Sequence, residues 1–381
     1  MRYRDIKFFA LIVGLTCFAT GCESDDPEET DTGGVMAAGG TAGMGGDPGM
    51  GGDPGMGGDP GMGGDPGIGG ADSECMPHAE DYPGDAWGPC ISDEGRYEVI
   101  NPNISSIARI ASFETIADTL WRKDGDPSVE DFVTALEEYT AEELLDSRVQ
   151  RRYDSHYPSP GDGVSCGDPG VPVMHPDYCV GPARILPSVM MALNAGAAGE
   201  QPNENAARVE ASLLWFLHIS AFKEANTCAG KSKDCDSAWA YYTGGEQVGG
   251  GLGLSKYVRE IEPATHQAVF DGILAVRCWR EVDNDPMSSS QPEVHQRALR
   301  QLDTALERAL AAVLIDRLRT WNGTDAAAWA FLQIMGPVAD RAARAVDPAK
   351  ADTLAAAWAG DGTSQDAEAL IGHLEALFPC P

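Results

Sequence analysis

Between residues 210 and 281 the chain gathers groups able to hold a hard metal ion. Glu210 and His218 are eight residues apart, about two turns of one helix. Glu224 continues a row with Glu210, Leu217 and Ala221, which turns its carboxylate toward a helical interior. An isolated charge there is costly, so that carboxylate must be paired or coordinated. Asp236, Tyr241 and Tyr242 open and line the following helix, and Arg277 and Glu281 lie four apart on a later one. Carboxylate, phenolate and imidazole are suitable ligands for iron. Arg277 is a candidate to hold a small anion beside it. Each residue also has a plainer reading. His218 sits among Trp215, Phe216, Leu217 and Ile219 and reads equally as a core histidine. Trp239 and Tyr241 read as packing residues, Tyr242 as an inter-helix hydrogen bond, and Arg277–Glu281 as an intrahelical ion pair.

Common catalytic signatures are missing. There is no Gly-x-Ser-x-Gly elbow and no His-Glu-x-x-His pair. The run Gly249-Gly-Gly-Leu-Gly253 has no preceding strand and no following lysine–serine pair, so it reads as a turn rather than a phosphate cradle.

The stretch Asp236-Ser-Ala-Trp-Ala-Tyr-Tyr-Thr-Gly-Gly245, after Phe222-Lys-Glu-Ala225, resembles the low-iron-inducible periplasmic proteins of algae, a group that overlaps the phytotransferrins. It is also similar to imelysin-like bacterial lipoproteins. The similarity spans about residues 200–345 and is specific only at 236–245. It implies ferric iron held outside the cell by Glu224, Asp236, Tyr241 and Tyr242, with carbonate as a companion anion. The chain departs from imelysins in lacking Gly-x-His-x-x-Glu, for which Ala264-Thr-His266 is no substitute. That departure argues against imelysin-type peptidase or metal chemistry.

The N-terminus gives an address. Arg2, Arg4 and Lys7 precede an apolar run at 8–19, then Ala19-Thr-Gly-Cys22. A basic start, a short apolar core and small residues before a cleavage point make an export signal over 1–21. The last four residues resemble the lipobox of bacterial lipoproteins, in which Cys22 is acylated and ties the chain to a bilayer. Several acyl chains at one end anchor stably. An ordinary secretory signal with an incidental cysteine is the alternative. Residues 22–74 carry no periodic apolar pattern, and Met-Gly-Gly-Asp-Pro-Gly recurs from Met44, Met50, Met56 and Met62. Such a glycine-rich stretch cannot offset its ordering entropy and is expected to be a coil with a span of roughly 40 Å. The expected location is an outer membrane or cell surface, facing periplasm or exterior.

The formal net charge is −32, and beyond residue 70 acidic residues still outnumber basic ones two to one. That excludes nucleic acid and disfavours an anionic membrane surface as partners. Apart from Cys17 and Cys22, eight cysteines remain: Cys75, Cys90, Cys166, Cys179, Cys228, Cys235, Cys278 and Cys380. An even number in an exported chain implies disulfides. Short separations suggest Cys75–Cys90, Cys166–Cys179 and Cys228–Cys235, leaving Cys278–Cys380, although spacing alone does not decide among the pairings.

From residue 104 onward the apolar period is helical. Helices are expected over 104–123, 129–152, 184–198, 205–226, a short one after Asp236, 255–281, 293–321, 326–346 and 366–378. Ser128 is the expected N-cap of the second, with Asp131 three residues on. Residues 154–182, rich in proline and glycine, read as a stapled loop. The fold class is therefore all-α: a disulfide-stapled helical bundle over 75–381. The shared Ala-Trp-Ala-aromatic segments at 238–241 and 328–331 raise two related halves, 100–285 and 286–381. The reading that follows is an iron-binding surface lipoprotein serving iron acquisition without turnover. The alternatives are a structural or protein-interaction lipoprotein with no ligand and a hydrolase with dispersed catalytic residues.

Overall fold

The computed structural model describes residues 95–282 and 292–379, with side chains placed for 95–277 and 296–379. The expected export signal over 1–21, Cys22, the repetitive stretch, Cys75, Cys90 and Cys380 lie outside the described residues, as do the side chains of Cys278 and Glu281. Every regular element among the described residues is a helix or helical turn, so the all-α reading holds. Of the expected disulfides, Cys166–Cys179 and Cys228–Cys235 are formed.

Helix α1 (Ser105–Leu120) leads to α2 (Val129–Thr140), whose start is a full capping box. The Asp131 amide donates to the Ser128 hydroxyl, and the Asp131 carboxylate accepts from the Ser128 amide at 2.7 Å. The sequence suggested one helix to residue 152. Instead α2 ends at Thr140, and α3 (Leu145–Val149) is separate. Between them Glu143 adopts φ 63°, a left-handed conformation that breaks the ladder. The loop after α3 contains the single turn α4 (Val171–Met174) and is closed by Cys166–Cys179. A π-helical turn, Gly181–Ile185, then feeds α5 (Leu186–Ala197). Gly181 fits there because a Cβ would come within 2.2 Å of the Val149 carbonyl oxygen.

Helix α6 (Pro202–Thr227) is the central pillar. Most of its residues are buried, and a stripe of Glu204, Arg208, Trp215, Lys223 and Asn226 reaches toward solvent. It packs against α5, α7 (Ser232–Thr243) and, later in the chain, α11 (Ala326–Met335). The Cys228–Cys235 disulfide closes the short α6–α7 connection. Pro263 splits the expected helix over 255–281 into α8 (Leu254–Ile261) and α9 (Pro263–Val282), because proline cannot continue the hydrogen-bond ladder. Helix α10 (Pro292–Thr320) packs on α9. After α11 a 3₁₀ turn at Gly336–Ala339 precedes α12 (Asp340–Val346), where the sequence suggested one continuous helix. An element that sequence reading missed, α13 (Pro348–Trp358), follows before α14 (Ala367–Leu377). Asp347 caps α13 by accepting from Ala349 and Lys350, an N-cap followed at once by proline.

One continuous apolar core runs from Tyr97 to Phe378 and draws on both of the halves suggested by the repeated segment. The two repeated tryptophans play the same part. Trp239 on α7 donates its indole N–H to the Glu246 carbonyl at 3.1 Å, and Trp329 on α11 donates to that of Gly360 at 3.0 Å.

Candidate metal centre

The residues singled out from the sequence are buried, but they serve separate polar groups. Glu224 accepts from Arg152 at 2.7 Å and Lys223 at 3.0 Å. Burial works against its charge, and these two cations outweigh burial and hold the carboxyl below the usual range. Asp236 is 1% exposed. It accepts from the Tyr97 hydroxyl (2.9 Å) and the amides of Ile100 (3.0 Å) and Asn101 (2.6 Å). It latches the segment before α1 onto α7. Tyr241 lies with its ring centroid 5.0 Å from the Arg152 guanidinium, so Glu224 and Tyr241 meet through that arginine. Tyr242 makes a 3.1 Å hydrogen bond with Nδ1 of His266, whose Nε2 lies 2.9 Å from the Val248 carbonyl oxygen. Burial raises the Tyr242 phenol well above its ordinary value. Arg277 donates to the Glu98 carbonyl at 2.6 Å and covers the Tyr97 ring. Glu210, on α6, accepts from Tyr257 and Arg317. The Gly249–Gly253 run is a turn: the Gly253 amide donates to Glu114, a carboxylate, at 2.8 Å.

Of the set, Glu210 lines a cleft with Arg122, Lys256, Tyr257 and Glu260, and His218 opens onto a different one that holds further candidate ligands. That second cleft is shared with Asp154, His156, Tyr157, Glu307 and Arg341, about 420 Å³ of space including its open mouth. His156, Asp303 and Glu307 each offer one ligand atom, and the three atoms lie within 4.8 Å of one another. His156 is positioned by a local turn: its amide donates to Oδ1 of Asp154 at 3.0 Å, while the Asp154 amide donates to the Tyr178 carbonyl at 2.8 Å. The Cys166–Cys179 disulfide and the stacked pair Tyr153–Tyr178 hold that loop. The imidazole stacks on Phe222 of α6, with centroids 4.3 Å apart. Phe222 and His218 are one turn apart on α6, so the helix supports one histidine and contributes the other. Asp303 and Glu307 sit one turn apart on α10, and Arg341 of α12 pairs with Glu307 and approaches Asp303 at 3.9 Å.

The charge arrangement is unusual for a core. His156 Nδ1 lies 2.6 Å from Asp154 and Nε2 2.8 Å from Asp303. Burial opposes protonation, but the hydrogen bonds to Asp154 and then Asp303 win and push the imidazole up to about 9. Burial, helped by the charge on His156, pushes His218 down to about 4, so it is neutral at neutral pH. Burial and then Asp303 push Glu307 up to about 7 against the pull of Arg341 and His156. His218 is 2% exposed, and its Nδ1 is buried without a hydrogen-bond partner; so is Oε2 of Glu307, which is 6% exposed. Unpartnered polar atoms of this kind are rare in native cores, and each calls for an explanation such as a bound water or ion.

No protein family, curated protein or solved structure matches this chain.

Sequence reading missed Asp154, His156, Asp303 and Glu307. Asp303 and Glu307 carry a legible signal, two carboxylates at i,i+4 in an otherwise apolar-periodic helix. Nothing in the sequence joins them to a histidine nearly 150 residues earlier.

Proposed function

We propose that this chain is an exported lipoprotein that binds a transition-metal ion, iron foremost, at His156, Asp303 and Glu307 with His218 completing the set. The observation that carries the reading is the pair of buried, unpartnered atoms, Nδ1 of His218 and Oε2 of Glu307, on residues that line one cleft with His156, whose ligand atom lies within 4.8 Å of those of Asp303 and Glu307. Imidazole with carboxylate suits iron, zinc or manganese, and there is no thiolate to favour softer ions. His156 has Asp154 behind its Nδ1. A carboxylate there orients a ligating imidazole and raises its basicity. Arg341 holds the other oxygen of Glu307 in the same supporting way. The export signal, the lipobox-like cysteine and the formed disulfides support an extracytoplasmic site. Such a domain would capture or hold a metal ion at a surface, with the ion as cargo.

The test is calorimetric titration of the purified, oxidised full-length chain with ferrous, ferric-nitrilotriacetate, zinc and manganese ions. The expected result is one ion per chain, with affinity lost in His156→Ala and reduced at least tenfold in Glu307→Gln. Binding weaker than about 10 µM for every ion, near −7 kcal/mol, would sink the reading. So would binding that both variants leave unchanged.

A further inference from the structure

The cleft lined by Glu210 shares no lining residue with the His156 cleft. Trp121 and Arg122 reach it from the end of α1, Glu210 from α6, and Lys256, Tyr257 and Glu260 from α8. It encloses about 580 Å³ of space including its open mouth, within the range of roughly 300–1,000 Å³ typical of small-molecule sites. Its walls are fixed by bonds within the protein. The Trp121 indole N–H donates to the Tyr257 hydroxyl at 2.7 Å, and that hydroxyl donates to Oε1 of Glu210 at 2.9 Å. Arg317 of α10 donates to the same oxygen at 2.8 Å. Arg122 is held by Glu114 at 2.5 Å, with its guanidinium 5.6 Å from the centre of the Tyr257 ring. The polar tips of both aromatic residues are thus occupied, and their ring carbons remain as apolar wall.

Three polar groups in the cleft are left over. Glu210 is 3% exposed, yet both of its contacts fall on Oε1, and Oε2 has no partner among the described residues. Lys256 and Glu260 stand at i,i+4 on α8, a spacing at which opposite charges can pair. Neither side chain has an ion-pair or hydrogen-bond partner among the described residues. Arg122 and Glu210 are already balanced by Glu114 and Arg317. The charges still open are therefore one cation and one anion, a single helical turn apart beside an aromatic wall. A lone cation or a lone anion would answer half of this set. A molecule with its ammonium and carboxylate on one carbon answers all of it. We propose that this cleft binds a free α-amino acid with an apolar side chain. Its ammonium donates to Oε2 of Glu210 and to Glu260, its carboxylate accepts from Lys256, and its side chain lies against Trp121 and Tyr257.

The test is calorimetric titration of the purified, oxidised full-length chain with L-phenylalanine and L-leucine, beside 2-phenylethylamine, 3-phenylpropionate and glucose. Saturable binding of at least one amino acid, with a dissociation constant below about 1 mM, is the expected result. The amine and the acid each lack one charge and glucose lacks both, so all three should bind at least tenfold more weakly. Lys256→Met and Glu260→Gln remove no hydrogen bond from the fold, so both variants are expected to fold, and each should weaken amino-acid binding at least threefold. No saturable binding of either amino acid overturns the proposal. So does binding of the amine, the acid or glucose within tenfold of the amino acid, or a smaller loss than threefold in either variant.

Discussion

His156 is the residue on which the proposed centre turns, and its protonation makes it measurable without any metal. In the folded chain its imidazole is pushed up to about 9, against about 6.5 when unfolded. The fold therefore binds the proton more tightly than the unfolded chain does. That stabilisation is complete below about pH 6.5 and is lost as pH rises through about 9. Glu307 works in a lower window: its raised carboxyl costs stability mainly as pH rises toward 7. Between pH 7.5 and 9.5 the metal-free chain is thus expected to lose about 2 kcal/mol through His156. Urea denaturation at the two pH values would read this loss, and His156→Gln should flatten it. An unchanged slope in that variant would refute the assignment. Residue types able to hold a metal were legible in the sequence, but the proposed grouping was not. Helical spacing marked Glu224 as interior, and residue type alone singled out Asp236 and Tyr242. Neither could reveal that Arg152, the 97–101 backbone and His266 occupy their polar atoms.

Asp236 shows what an element gains from one well-placed acid. The segment 95–104 has no regular structure and is held to α7 by three hydrogen bonds to Asp236 and by Tyr97 stacked on Trp239 at 4.6 Å, and to the loop after α7 by Gln247 bonding both ways to the Tyr97 backbone. Asp236→Ala leaves two amides and a buried phenol unpaired. The expected cost is about 3 kcal/mol, together with new protease cleavage within 95–104 while α6 and α7 stay intact. Melting and limited proteolysis would check both; a variant as protease-resistant as the wild type would remove Asp236 from this role. Helix positions were legible because their apolar faces repeat. Breaks were less so. Pro263 marks its break openly, whereas the left-handed Glu143 and the π-helical turn at Gly181 depend on packing that no local pattern carries. Helix α13 was missed although Asp347-Pro348 announces it, because alanine-rich helices show little amphipathic contrast.

At the scale of the whole molecule, the proposed centre takes His156 and His218 from the first suggested half and Asp303, Glu307 and Arg341 from the second. The two sets of helices also share one core, with α11 lying against α6. Sequence repetition alone could not distinguish two adjoining domains from one interleaved body, because that depends on which faces meet. A ligand joining elements from both stretches stabilises the folded state as a unit if they unfold as a unit. One ion at about a hundred times its dissociation constant contributes about 2.7 kcal/mol, a rise of roughly 5 °C in melting temperature for a domain of this size. The metal-free chain should unfold in one transition, with tryptophan fluorescence and far-ultraviolet circular dichroism coincident, and metal should move both curves together. If only one probe shifts, or the curves separate, the two stretches unfold independently and the ion steadies only one of them.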